Sequence, residues 1–310
     1  MKLLSCFTLL AGASLLVAQT PAPKTTTPAP KTPTKTYATP EEARDALVQA
    51  AAGGIDALRA AIGPGSTKVV ETGDEVQDRK LVEDFRRRVA EKTVLESDDL
   101  NLNRMTLLTG SEETPFALPL VRKNGRWYWD VEEGREELRR RVIGANELTA
   151  IEVCRGIVEA QQMYAETDWD GNGVLEYARK IASTEGKKDG LYWPGDDSPV
   201  SEGFAKAHAQ GYNDKPGSGT GYHGYVYRVL MSQGPDATGG AQDYVVHGLM
   251  IGGFALIASP VKYGLSGIMT FIVNQDGVVY EKDLGPYTDV QARAISKFNP
   301  DKTWRISAVD

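Results

Sequence analysis

The chain predicts an α+β fold in two parts. A helical and antiparallel-sheet domain is expected over residues 37–143, followed over 144–310 by a long helix packed on an antiparallel β-meander. Three observations lead there. Helix-period apolar patterning is concentrated at 40–92 and again at 146–167. Each of these blocks is followed by runs of period two. Tight-turn triplets, Lys123-Asn124-Gly125 and Gln275-Asp276-Gly277, join neighbouring runs as hairpins.

Residues 1–18 carry Lys2 and then an apolar, acid-free run to Ala18, the pattern of a secretory signal peptide cut after Ala18. Residues 19–36, QTPAPKTTTPAPKTPTKT, form a Pro/Thr-rich tether that is too poor in large apolar side chains to build a core. Thr39-Pro40-Glu41-Glu42 starts the first helix, with threonine as N-cap, proline in the first turn and Glu42 three residues past the cap. Ala46, Leu47, Ala50 and Ala51 form its apolar face. A second helix over 55–62 stops at Gly63-Pro64-Gly65, and a third over 78–92 places Leu81, Val82, Phe85 and Val89 on one side. Strands are expected near 100–108, 116–121 and 126–131.

The run 132–141, EEGREELRRR, has its acids first and its arginines last, which suits the helix dipole and reads as a solvated connector. Asn146 is expected to cap the next helix, which runs to about Thr167 with Ile151, Cys154, Val158 and Tyr164 near one face. A shorter helix is expected over 175–183. An irregular segment then leads to the glycine-rich 217–225, and strands follow at 224–231, 242–248, 253–259, 268–274 and 278–283.

Composition narrows the function classes. The chain has 310 residues and a net charge of −7, with no basic stretch interleaved with aromatics, so no nucleic-acid partner is expected. Beyond the leader, no stretch is long and apolar enough to span a membrane. Of the two cysteines, Cys6 leaves with the leader, so Cys154 remains alone, without a disulfide partner, and reads as a small buried hydrophobe.

The strongest chemical motif follows the 146–167 helix. Asp168-Trp169-Asp170-Gly171-Asn172-Gly173-Val174-Leu175-Glu176 places oxygen donors at alternate positions and then a glycine, the first half of a Ca²⁺ loop. Asp168, Asp170 and Asn172 fall at ligand positions one, three and five, the Val174 carbonyl at seven and Glu176 at nine. Arg179 occupies the position where an EF-hand needs its bidentate glutamate, which points to a looser structural Ca²⁺ site. The bland alternative is an Asp/Asn/Gly turn ending the helix.

Other candidates are weaker. His208, His223 and His247 are widely spaced and lack a zinc pattern; the last two read as hydrogen-bonded histidines at or on strands. Ser266 lacks the nucleophile elbow, and 217-GSGTG-221 precedes a strand instead of a helix. Asp196, Asp197 and Glu202, near Tyr192 and Trp193, form an aromatic-plus-acid mixture of the kind that faces glycans, and no catalytic residue is assigned among them.

The strings TPEEARDALVQAA, RWYWDVEEGREEL, NELTAIEVCRGIVEAQQMYAETDWDGNGVLEYA, DGLYWP, GYHGYVYRVL and FIVNQDGVVYEKDLG resemble a family of exported bacterial proteins known only as a domain of unknown function, number 2950. That resemblance covers nearly the whole chain from about Tyr37 and carries no activity. The second region also looks like the globular part of bacterial pilin-like proteins, in which a long helix packs on an antiparallel meander and some members carry calcium loops. The expectation is an exported protein of the bacterial envelope, periplasmic or extracellular. It would act as a non-enzymatic module that binds or scaffolds an envelope protein or glycan, with Ca²⁺ as a structural ion. The alternative is an envelope hydrolase acting on glycan or peptidoglycan through paired carboxylates near 189–223.

Overall fold

The computed structural model describes residues 35–70, 75–205 and 221–308. The expected signal peptide and most of the tether lie outside them. Four helices come first: α1 (Pro40–Ala52), α2 (Ile55–Ile62), α3 (Thr67–Val70) and α4 (Glu75–Glu91). Thr39 accepts a hydrogen bond from the Glu42 amide as the sequence predicts, and the Glu42 carboxylate accepts in return from the Ala38 amide, one residue before the cap, a displaced form of the capping box. The following sheet contains β1 (Thr93–Asp98), β2 (Asn101–Thr109), β3 (Thr114–Pro115), β4 (Leu120–Lys123) and β5 (Arg126–Trp129). Its order is β1-β2-β4-β5, with β3 on β2. Asn124 and Gly125, at φ 53° and 76°, supply the two left-handed residues that the tight β4–β5 hairpin requires. Phe85 packs tilted on Phe116, and Phe116 meets Trp129 edge-to-face, in a core that includes Leu47, Leu107 and Leu120.

The main departure from expectation is the next helix. Instead of a connector and a separate helix capped by Asn146, α5 runs unbroken from Val131 to Tyr164. Asp130 caps it by accepting from the Glu133 amide. Its exposed N-terminal half carries a ladder of ion pairs at helical spacing, Arg135–Glu132, Arg139–Glu136, Arg140–Glu137 and Arg141–Glu137. Asn146 sits inside the helix and spends its side chain on a tertiary bond, donating to the Ser266 carbonyl at 2.9 Å. Next to it, Glu147 accepts from the amides of Ile268 and Met269 at 2.8 and 3.0 Å. The expected domain boundary at 143/144 therefore falls within α5. The first half of α5 packs Val131 and Leu138 against the N-terminal core. The second half buries Ile151, Cys154, Ile157 and Tyr164 in the C-terminal core.

The C-terminal sheet has the order β14-β13-β12-β11-β6 and is antiparallel throughout. Its strands are β6 (Tyr225–Leu230), β11 (Ala255–Pro260), β12 (Met269–Asn274), β13 (Tyr280–Asp283) and β14 (Arg305–Ile306). The single strand expected over 242–248 is instead three short pieces, β8 (Gln242–Asp243), β9 (Val245–Val246) and β10 (Leu249–Met250). β8 pairs with β7 (Ser232–Gln233), and β9 turns back onto β10 at His247-Gly248.

Both faces of this sheet are covered. Strand alternation turns Tyr225 and Tyr227 to the α5 side, whereas Arg228 faces α6 (Thr288–Ala294) and donates to its Ala292 carbonyl and to that of Ile295. Register places Ile257 and Ile272 on the same side as Arg228. Coverage on both faces explains why β11 is buried along its whole length rather than at alternate positions. Neither α6 nor β14 was expected from the sequence.

Candidate functional site

Beyond Tyr164 the chain leaves α5 and enters the aspartate-rich loop. Gly171 and Gly173 adopt φ 72° and 84°, the left-handed backbone that glycine supplies without strain. Asp168 organises the turn. Its Oδ1 accepts from the Gly171 and Asn172 amides at 2.9 and 3.2 Å, and its Oδ2 accepts from the Gly173 amide at 2.8 Å. These bonds, the one from Gly173 foremost, hold its carboxyl below the usual aspartate range. Asp170 accepts from the Asn172 amide and side chain, and Asn172 Oδ1 accepts from the Val174 amide at 2.7 Å.

The loop is clamped at both ends. At its entry, Trp169 Nε1 donates to the Tyr164 carbonyl at 3.0 Å, satisfying one of the orphan acceptors of the helix end. At its exit, Glu176 Oε2 accepts from the Met250 amide, and the Tyr177 amide donates to the Met250 carbonyl, each at 2.9 Å. Gln161, buried in α5, then pairs its side-chain amide with the backbone of Ala178, donating to the carbonyl and accepting from the N–H at 2.8 Å each. The helix expected over 175–183 does not form. Its backbone groups go instead to Met250, to Gln161 and to a parallel bridge between Ala182 and Tyr192.

Five residues expected to supply metal ligands thus lie on one short stretch, but they do not all face one point. Asp168, Asp170, Asn172 and Val174 share the turn, whereas Glu176 is directed at β10. Among the described residues no three His, Cys, Asp or Glu side chains gather as a metal-holding group. The ligand set read from the sequence relies on the Asn172 amide and the Val174 carbonyl as well.

Beside the loop lies a cleft of about 350 Å³ whose lining includes Trp169, Asp170, Glu176, Arg179, Lys188 and Asp189. The Lys188 ammonium sits 4.4 Å from the Trp169 ring and 4.7 Å from that of Trp193, and it pairs with Asp197 at 2.6 Å. Trp193 Nε1 also donates to Asp197, at 2.7 Å. The bonds from Lys188 and Trp193 hold the Asp197 carboxyl low. Burial acts to raise Asp189, but Lys180 and the amide and hydroxyl of Thr184 outweigh it and bring its pKa down to about 2. Asp189 and Asp197 therefore serve as structural anions that tie 180–197 together. Tyr164, at the cleft wall, is pushed up to about 12 by burial first and then by Glu176 and Asp189.

The remaining candidates resolve simply. Cys154 is fully buried, and burial raises its thiol to about 12, which suits a packing residue and not a nucleophile. His223 and His247 are exposed turn residues at φ 48° and 50°, each followed by a left-handed glycine, so the expectation of hydrogen-bonded strand histidines is corrected. Ser266 Oγ closes its own turn with Lys262. His208 and nearly all of 217–221 lie outside the described residues. Sequence reasoning overlooked Gln161 and Lys188. The signal for Gln161 was an amide lying on the apolar stripe of Ile157 and Tyr164.

Fold and loop together describe an α+β protein whose one long helix ends in an acidic turn. Residues 34–306 match the family described as "Protein of unknown function (DUF2950)", and the chain belongs to that family. No curated protein matches it. No solved structure matches either, so the pilin likeness has no structural relative behind it. Among the described residues no helix is long and apolar enough to cross a membrane.

Proposed function

We propose that this is an exported protein of the bacterial envelope that acts as a non-enzymatic binding or scaffolding module, with the 168–176 loop holding a structural Ca²⁺. One observation carries the reading. Asp168 draws the amides of Gly171, Asn172 and Gly173 inward while the side chains of Asp170 and Asn172 lie in the same turn. The donor set fits the ion. It is all oxygen, as a hard cation prefers. Asp168 Oδ2 and both Asp170 oxygens accept one bond each and so retain a lone pair, whereas Asp168 Oδ1 already accepts two amides. Asp168, Asp170, Asn172 and the Val174 carbonyl would hold the ion directly. Glu176, committed to Met250 through one oxygen, would reach it through its other oxygen or a water, as position nine commonly does. The ion would then join the end of α5 to β10 and lock the C-terminal layers in place.

Asp189 and Asp197 do not supply the acid that the hydrolase alternative requires. A glycosidase needs one carboxyl kept protonated as the acid, and Asp189 and Asp197 are both shifted the other way. Calorimetric titration with Ca²⁺ tests the proposal. One site with a Kd on the order of 10⁻⁴–10⁻³ M is expected, lost in Asp168→Ala. Heats indistinguishable from dilution would refute it.

A further inference from the structure

A second cavity, of about 440 Å³, opens on the α6 side of the C-terminal sheet, away from the 168–176 loop. Its apolar lining comes from Ile272 of β12, Leu284 after β13, Ile295 after α6 and the half-buried Trp304. Its volume falls within the range of small-molecule sites, roughly 300–1,000 Å³.

The polar groups around it define what it can take. Most are already used. Gln291 donates to the Leu284 carbonyl at 2.7 Å, and Asn299 is tied to Asp236 at 2.8 Å. Asp301, the one acid in the lining, caps its own turn by accepting from the Thr303 amide at 2.8 Å. The Ser296 hydroxyl and two cations are left, one of them, Lys282, near enough to Asp301 to help hold that carboxyl low. Lys282 gives one bond to the Thr303 hydroxyl at 2.7 Å and stands 5.7 Å from the Trp304 ring, which leaves two of its three N–H groups for a ligand. Lys297 is exposed and has no ion-pair partner among the described residues. The unused N–H groups of Lys282 and the unpaired Lys297, two cations against the single acid Asp301, leave net positive charge over an apolar floor, which matches a ligand that is apolar at one end and anionic at the other.

We propose that this cavity binds a small carboxylic acid with an apolar body, its carboxylate between Lys282 and Lys297 and its body against Trp304, Ile272 and Leu284. The apolar contact supplies most of the affinity, and the lysines select the charge. Arg228, bonded to the Ala292 and Ile295 carbonyls, holds the α6 wall in place, so the cavity is formed before the ligand arrives.

The test is calorimetric titration of the intact protein with phenylbutyrate, phenylbutanol and phenylbutylamine. The acid is expected to bind with a Kd below about 1 mM, at least tenfold tighter than the alcohol or the amine. Lys297→Gln, on an exposed residue whose loss does not threaten folding, is expected to weaken the acid about threefold. The double variant with Lys282→Gln weakens it further, while Lys262→Gln, outside the cavity, leaves it unchanged. No binding at about 10 mM acid, equal binding of acid and alcohol, or a double variant with unaltered affinity would each overturn the proposal. None of these results depends on Ca²⁺, so the two sites fail or stand separately.

Discussion

Gln161 offers the sharpest test of how the loop is anchored. Its side-chain amide replaces a strand partner for Ala178, with two bonds of 2.8 Å in a site where Gln161 is 1% exposed. Gln161→Leu keeps approximately the same volume but leaves the Ala178 N–H and carbonyl without partners. An unsatisfied buried group costs about 1–3 kcal/mol. Two of them, partly relieved by relaxation, imply a loss of about 3 kcal/mol. For a chain of this size that lowers Tm by roughly 4–6 °C in a calorimetric scan.

Gln161→Glu sharpens the reading through pH. The carboxylate can still accept from the Ala178 N–H but cannot donate to its carbonyl, and burial raises its pKa above the unfolded value. The stability it supplies is thus fully present below the unfolded pKa of about 4.3 and is lost as pH rises through the folded value. The variant should fall well below wild type at neutral pH and close part of the gap on acidification. A Gln161→Leu protein melting within about 1 °C of wild type would refute the anchoring argument.

Three further outcomes follow from packing and charge. A Cβ on Gly134 would lie 2.5 Å from Leu118 Cγ, so Gly134→Ala should destabilise by about 1–3 kcal/mol despite alanine's helix propensity. Gly144→Ala, in the same helix with nothing within 4 Å, should stabilise by about 0.5–1 kcal/mol; paired denaturant titrations check both. Asp189→Asn should lower Tm at neutral pH. Because the folded pKa of about 2 lies below the unfolded one, Asp189 stabilises the fold above the unfolded value, and the penalty of the variant should shrink as pH falls toward 2. A penalty independent of pH would contradict the ion-pair account.

Elements governed by neighbours in the chain were legible in advance. The Thr39 capping box, the Asn124-Gly125 hairpin and the meander from β11 to β13 all rest on local backbone preference and alternation. What eluded the sequence depended on partners far along the chain. Asn146 reads as a cap because its side chain bonds backbone readily, yet it meets Ser266, 120 residues on, and the helix runs through it. Residues 175–183 have helical composition, but Met250 and Gln161 compete for their backbone and win. At the loop, spacing located Asp168, Asp170 and Asn172 in one turn, while the diversion of Glu176 to Met250 needed the position of β10.

The central claim is that the turn closing α5 is an ion site coupled to folding. Thermal unfolding in EDTA, in Ca²⁺ and in Mg²⁺ tests it most directly, with Asp170→Ala alongside. At about ten times Kd, Ca²⁺ adds ~1.4 kcal/mol, a rise of roughly 2–3 °C that Mg²⁺ does not reproduce. Asp170→Ala should melt close to wild type in EDTA and lose the rise in Ca²⁺. Identical melting in all three solutions, or a variant that keeps the calcium response, would contradict the account and leave 168–176 an ordinary helix-ending turn.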